Sequence, residues 1–368
     1  MGDEGGFHVK NTPNEQGFGL THMGRADMRY IGSKSRLTPY IRSIVERADP
    51  NTSVFCDLFA GTGAVGQEFK GTHRVIANDL LYFSYVINAA NLQLDKIPDF
   101  TKFRSAHGTD PISFLNKLRP DPSEAADHDF VAQSYSPIGR DERKYFTPEN
   151  AIRIDRIRQT IEASRKDLLL DESEYFYLLA ALLREVPSVS STTGTYGAFL
   201  KTWDKRALKE ITLGHLEITP GCKDNEVFNA DANEIVTKIT GDVLYLDTPY
   251  NSRQYSSNYH VLESIARYDR PDVVGVTGLR ADRAGDSGYC RRDKVFSLYK
   301  DLLEKADFRT VVISYSSEGI LDEDQLVDLV SRFAGHPPFA FEKIPYRRYK
   351  RTGGDTKSVD EFLVVGKK

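Results

Sequence analysis

Val54-Phe55-Cys56-Asp57-Leu58-Phe59-Ala60-Gly61-Thr62-Gly63-Ala64-Val65-Gly66 decides the fold. It opens as a short apolar run with β-favouring residues and closes in a glycine-rich turn. Glycines in such a turn permit positive φ and close approach by a ligand. Arg74-Val75-Ile76-Ala77-Asn78 is a second strand-like run ending in Asp79, and Tyr82 to Leu92 has a helical pattern. Upstream, Leu37, Ile41, Ile44 and Val45 fall at helical spacing between Arg36 and Arg47. Strand, glycine loop, helix and strand in that order predict an open parallel α/β sheet.

Gly61, Gly63 and Gly66 satisfy G-x-G-x-x-G, and Asp79 lies 18 residues after Gly61. That is also the dinucleotide fingerprint. A dinucleotide would set its pyrophosphate on the helix N-terminus. Asp57, just before the loop, is badly placed for that anion. It suits a ligand with an ammonium group, such as the methionine end of S-adenosylmethionine. Asp79 can accept from ribose hydroxyls in either case. Tight strand–helix packing without a ligand is the third reading of the loop.

Downstream, Gly241 to Leu246 reads as a strand that runs into Asp247-Thr248-Pro249-Tyr250. Ligands of open α/β sheets bind beyond the carboxyl ends of the strands. An acid, a proline turn and an aromatic at that edge suit methylation of an exocyclic amine. Such an amine is a poor nucleophile because its lone pair is delocalised into the ring. Asp247 can accept from one N–H, and a carbonyl near Thr248 or Pro249 from the other. Pro249 stiffens the turn. The carboxylate also stabilises the positive charge that develops on nitrogen. Tyr250 offers a flat face to a base taken out of the stack. Read alone, the tetrapeptide is equally an ordinary Asp-x-Pro turn; the upstream glycine loop makes that reading the poorer one.

Between these segments the texture changes. Residues 96–225 carry a Pro- and Asp-rich stretch and two helix signals. Thr147-Pro148 supplies an N-cap with proline at N1, ahead of Ile152, Ile154, Ile157 and Ile161. Asp171 with Glu174 forms a capping box opening a helix that Pro187 ends. This block reads as a mainly helical insertion. Residues 28–95 and 226–368 then form the catalytic domain, and residues 1–27 a flexible tail, with Met28 a candidate start. Asp242–Asp247, Thr310–Ser314 and an antiparallel pair at Phe339–Ile344 and Glu361–Val365 complete the expected sheet, with a helix at Tyr259–Tyr268.

The chain has 368 residues, 40% hydrophobic and 28% charged, with a net charge of −4. That is globular composition, and any contact with a polyanion must come from local basic patches. Cys56, Cys222 and Cys290 are too few and too scattered for a disulfide framework or a zinc site, so no metal is expected and a reducing cytoplasm is the natural setting. No apolar run is long enough to span a membrane.

With these motifs in order, the sequence resembles the Dam-like, alpha-class adenine-N6 DNA methyltransferases over roughly residues 28–366. Within that class it resembles the modification enzymes that accompany restriction endonucleases. The resemblance implies a Rossmann-like S-adenosylmethionine-dependent methyltransferase fold. Tyr30-Ile31-Gly32-Ser33-Lys34 looks like the family's amino-terminal donor motif, so Tyr30, Gly32 and Lys34 inherit a cofactor role. Lys34 would otherwise pass as a solvated lysine at a helix start. Asp57, Phe59, Gly61, Gly63 and Asp79 match the glycine-loop and ribose motifs. Asp231, 16 residues before Asp247, matches the segment that contacts the donor's adenine; by itself it reads as a turn or cap aspartate. The family more often has proline where this chain has Thr248, which bears on the geometry of the turn.

The resemblance also implies double-stranded DNA as substrate and a cognate restriction endonuclease as partner, in a bacterial or phage-encoded cytoplasmic protein. The polar, aromatic run after Tyr250 supplies Arg253 and Tyr255 as DNA contacts. Arg153, Arg156 and Arg158 cannot share one helix face, so some of them are merely solvated. Lys201 and the loop Ser190–Tyr196 are candidate readers of sequence. Arg347, Arg348 and Lys350, flanked by tyrosines, form a candidate phosphate patch. His260 reads as a structural helix residue, since transfer to a neutral amine needs no general base. Cytosine-N4 methylation uses the same amine chemistry, but that family more often begins the tetrapeptide with serine. Structured RNA as substrate and a catalytically silent DNA-binding protein are the other readings.

Overall fold

The computed structural model describes residues 32–221, 224–346 and 359–368. Seven strands form the main sheet: β1 (Val54–Asp57), β2 (Arg74–Asn78), β3 (Glu226–Phe228), β4 (Thr240–Leu246), β5 (Asp307–Ser316), β6 (Ala340–Tyr346) and β7 (Val359–Lys367). Their spatial order is β3-β2-β1-β4-β5-β7-β6. The first five are mutually parallel, with Cys56 opposite Ile76 on one side and Leu244 on the other. β7 runs antiparallel to both β5 and β6. Order and reversal fit the Rossmann-like methyltransferase fold expected from the sequence.

The reading of local elements holds well. β1, β4 and β5 are near-continuous buried runs, as strands covered on both faces require. The helix Thr38–Ala48 buries Ile41, Ile44 and Val45 along one stripe. Thr147 accepts from the Asn150 amide and opens a helix from Pro148 to Lys166. The capping box of Asp171 and Glu174 opens the helix Glu172–Glu185, and Pro187 falls in the 3-10 turn after it. The helix after the tetrapeptide runs Tyr255–Arg267, four residues earlier than expected, with non-helical angles at Tyr259. The helix Tyr82–Asn88 continues into a π-turn, Ala89–Gln93.

Tertiary packing ties the helical block to the sheet helices. Phe83 and Val86, Ile157, Leu179 and Leu262 belong to one continuous core. Buried carboxylates stitch it together. Glu263 accepts from the Tyr82 and Phe83 amides, both at 3.0 Å, capping the helix that follows β2. Asp155 accepts from the Val131 and Ala132 amides at 3.0 and 2.8 Å.

Two expectations for this block need correction. Arg153 and Arg158 are neither solvated nor available to DNA, being 4% and 2% exposed. Arg158 donates to the Ile265 and Ala266 carbonyls, to Tyr175 and to Glu162. Arg153 donates to the Asn116 carbonyl and pairs with Glu210. A guanidinium can be buried when carbonyls and carboxylates match its fork. Ser190, Ser191, Thr192 and Tyr196 are also buried, so Ser190–Tyr196 is a packed turn with only its middle at the surface. The Tyr196 amide donates to the Asn258 carbonyl, pinning that turn to the helix after the tetrapeptide.

Candidate active site

Asp57, Asp79 and Asp247 stand at the carboxyl ends of β1, β2 and β4, where the parallel twist opens a crevice. They share a cavity of about 210 Å³ with Gly32, Lys34, Phe59, Gly61, Asp231, Pro249, Tyr255 and Tyr289. Tyr30 lies outside the described residues.

The glycine loop is built for close approach. Gly61 and Gly63 have φ of +53° and +81°, and Gly63 caps the helix Ala64–Phe69. A Cβ on Gly63 would meet Asn88 Oδ1 at 2.2 Å. Asn88 Nδ2 in turn donates to the Gly61 carbonyl at 2.9 Å, so the helix after β2 braces the loop. Asp79 accepts from the Gly61 and Leu81 amides, each at 2.8 Å. Burial nevertheless pushes its carboxyl up to about 7, against the pull of those two amides.

Asp57 is 1% exposed, and neither of its oxygens has a well-formed hydrogen bond. Burial, followed by the charges of Asp247 and Asp79, raises its pKa well above the carboxylate range; the nearby Gly66 and Phe59 amides only partly offset this. A buried acid left without partners is costly unless a ligand completes it. Phe59 packs edge-on against Tyr289, with ring centroids 5.0 Å apart, and lines the same cavity. Asp231 caps the short helix Ala232–Ile235 through the Asn233 amide at 2.8 Å, so its cap role and its place on the cavity wall coexist.

At the tetrapeptide, Lys34 Nζ lies 3.1 Å from Asp247 Oδ1 and 2.6 Å from Glu361 Oε1. Burial and the Glu361 charge push the Asp247 carboxyl up to about 7, with Lys34 pulling the other way. Burial alone would lower the Lys34 ammonium, but Asp247 and Glu361 outweigh it and hold it above an ordinary lysine. Lys34 is therefore a buried bridging cation rather than a solvated helix-start residue. Thr248 is buried, and its hydroxyl meets the Tyr299 hydroxyl at 2.7 Å. The Tyr250 carbonyl accepts from the Ile320 amide at 3.0 Å, and the Tyr250 ring stands edge-on to Tyr315.

Of the residues expected to meet DNA, Arg253 and Lys201 are exposed. Tyr255 instead faces the cavity, and a Cβ on Gly32 would come within 3.0 Å of its hydroxyl. Arg347, Arg348 and Lys350 lie outside the described residues. His260 is buried between the Ser257 and Thr277 carbonyls, each 2.9 Å from a ring nitrogen, and burial lowers its pKa, as a structural histidine requires. Sequence reasoning missed Glu361, Ser314, Tyr289, Tyr299 and Asn88. Glu361 lies 114 residues beyond Asp247 in an ordinary-looking strand, with no local signal.

The model of the D12 class N6 adenine-specific DNA methyltransferases matches residues 30–329. Type II methyltransferase M.FokI of Planomicrobium okeanokoites is 43% identical over 324 residues, 88% of this chain and 50% of that protein. Modification methylase LlaI of Lactococcus lactis subsp. lactis is 41% identical over 348 residues, 93% of this chain and 55% of that protein. Type II methyltransferase M.NlaIII of Neisseria lactamica is 38% identical over 327 residues, 88% of this chain and 92% of that protein. The chain thus spans about half the length of the first two relatives and nearly all of the third.

Proposed function

The chain belongs to the D12 class N6 adenine-specific DNA methyltransferases, and we propose that it transfers a methyl group from S-adenosylmethionine to the N6 amine of adenine at a specific site in duplex DNA, in the cytoplasm and as the modification partner of a restriction endonuclease. The observation that carries this reading is Asp247 at the end of β4, facing a cavity in which Asp57 has two buried oxygens without well-formed hydrogen bonds.

The cavity fits that donor. Its methionine ammonium would give the Asp57 oxygens a partner, Asp79 would accept from the ribose hydroxyls, and Phe59, Tyr289 and Asp231 line the part of the cavity left for the adenine. When bound, S-adenosylmethionine supplies an electrophilic methyl group on a sulfonium. Asp247 accepts one N–H of the target amine, and a carbonyl of the Thr248–Pro249 turn accepts the other. Together they favour a tetrahedral nitrogen with its lone pair aimed at the methyl group. Asp247 would then stabilise the positive charge on nitrogen until water takes the surplus proton. Tyr250 stacks on the flipped base, a contact typically worth ~1–3 kcal/mol.

Arg253, exposed and three residues beyond Tyr250, is the candidate to hold the phosphate of the flipped nucleotide. Lys201, Arg347, Arg348 and Lys350 are further candidates for the backbone. Charge removal at Arg347 and Arg348 is expected to weaken DNA binding and flatten its salt dependence; an unchanged slope would take both out of the interface.

The central test uses labelled donor and plasmid DNA, digested afterwards to nucleosides. Label is expected in N6-methyladenine. Label in N4-methylcytosine, or none, would overturn the reading.

A further inference from the structure

Two carboxylates and one ammonium meet behind the Asp247 turn. Lys34 Nζ is 2.6 Å from Glu361 and 3.1 Å from Asp247. Ser314 Oγ donates to the same Glu361 oxygen at 2.6 Å. Glu361, Lys34 and Ser314 are all buried. Glu361 arrives on the reversed strand β7 and lies beyond the residues that the family model matches. A carboxylate in such a place is expensive to desolvate, and apolar residues often fill the same volume without loss of stability. Packing of β7 against β5 therefore does not explain a glutamate there.

We propose that Glu361 is a positioning residue for methyl transfer, drawing the Lys34 ammonium toward itself so that Asp247 keeps an oxygen free to accept from the target amine. The proposal rests on the adenine-methyltransferase reading above. The ammonium sits closer to Glu361 than to Asp247. The second Asp247 oxygen has no hydrogen-bond partner among the described residues, and its side chain is 17% exposed toward the cavity. Without the Glu361 charge, Lys34 has one carboxylate left and pairs fully with it. A carboxylate neutralised by a buried cation is a weaker acceptor.

The other titratable groups around Asp247 do not substitute for this pair. They are Asp57 on β1, Tyr245 on β4, Tyr250 beside it, Tyr255 on the following helix and Tyr299 behind Thr248. Burial drives Asp57 and the Tyr245, Tyr255 and Tyr299 hydroxyls toward their neutral forms. The Tyr250 ring lies against the Lys34 ammonium, 5.9 Å from Nζ to the centroid. Beside burial, the charges that set the ionisation of Asp247 are therefore those of Lys34 and Glu361.

Glu361→Gln keeps the shape and an acceptor for Ser314 while removing the charge. Single-turnover transfer to adenine is followed against pH for wild type and E361Q, with donor and DNA binding measured alongside. E361Q is expected to bind both ligands within about twofold of wild type and to lose about tenfold or more in plateau rate. Its acid limb should move down by about one pH unit, because a negative neighbour of Asp247 is gone. Loosening that lets water reach Asp247 would also lower the limb, so Ser314→Ala, which removes a neutral contact to Glu361 and keeps its charge, is measured in parallel; a limb that moves as far in S314A as in E361Q overturns the proposal. An unmoved limb, or a loss confined to ligand binding, overturns the proposal. Glu361→Asp covers the case in which E361Q does not fold: it withdraws the charge by one methylene, and its limb should also shift toward acid, whereas an unshifted limb overturns the proposal. Wild-type protein that methylates no adenine would overturn the underlying reading as well, so the two failures are distinguishable.

Discussion

Thr248→Val tests whether the second residue of the catalytic turn is held by its hydroxyl. The Thr248 and Tyr299 hydroxyls are 2.7 Å apart, both side chains are buried, and each is the other's only hydrogen-bond partner among the described residues. Valine keeps the shape and removes the hydroxyl, which leaves the Tyr299 O–H buried without a partner. Such a loss costs about 1–3 kcal/mol. Unfolding entropy of roughly 2.1 cal/mol/K per residue, over 368 residues, converts 2 kcal/mol into a fall of about 2–3 °C in Tm. Tyr299→Phe should cost a similar amount by stranding the Thr248 hydroxyl. The double variant should cost clearly less than the sum, with a coupling energy of about 1 kcal/mol, because neither hydroxyl is then left behind. The assay is thermal unfolding of the four proteins in one buffer, with single-turnover transfer measured on each. The turn also carries Asp247 and Pro249, so T248V should slow transfer more than it weakens donor binding. Strict additivity of the two stability losses would refute the bond as an anchor of the turn.

Three further outcomes are expected. Gly63→Ala forces a Cβ to within 2.2 Å of Asn88 Oδ1 at a φ of +81°, so donor binding should weaken by about tenfold or more; calorimetry giving wild-type affinity would show that the loop does not cradle the donor. Burial pushes the Asp79 carboxyl up to about 7 in the folded chain from an ordinary 3.8, so the folded state holds its proton more tightly than the unfolded one. That contribution to stability is present below pH ~3.8 and lost as pH rises to about 7, so Asp79→Asn should flatten the fall in ligand-free stability across that window; denaturant titrations with the same slope in both proteins would count against it. Arg158→Gln should destabilise the fold by about 3 kcal/mol, because it disturbs a buried cation and its carbonyl partners, while leaving the salt dependence of DNA binding unchanged; an altered salt slope would return Arg158 to the DNA interface.

Legibility followed the range of the interaction. Strands β1, β2, β4 and β5, the capped helices and the late antiparallel pair were readable because apolar periodicity and capping act within a few residues. Arg153 and Arg158 were misread because their partners, Glu210 and the Ile265 and Ala266 carbonyls, come from distant segments. Ser190–Tyr196 has loop composition, yet it packs inward because Tyr145 and Asn258 pair with its backbone, Ser190 Oγ donates to the Val186 carbonyl and Ser191 Oγ accepts from the Asp204 amide.

By itself the sequence determined the order of the sheet elements, the glycine loop with its flanking acids, and the Asp247-Thr248-Pro249-Tyr250 turn, since each is encoded by adjacent residues whose backbone preferences act locally. Only the tertiary structure decided what surrounds Asp247. Lys34 arrives from before the first helix, Glu361 from the last strand, and Tyr299 from a helix 51 residues beyond Thr248. Their meeting depends on strand order and on the reversal of β7. Electrostatic coupling at 3 Å depends on where chains cross in space, and no local pattern in a sequence records that crossing.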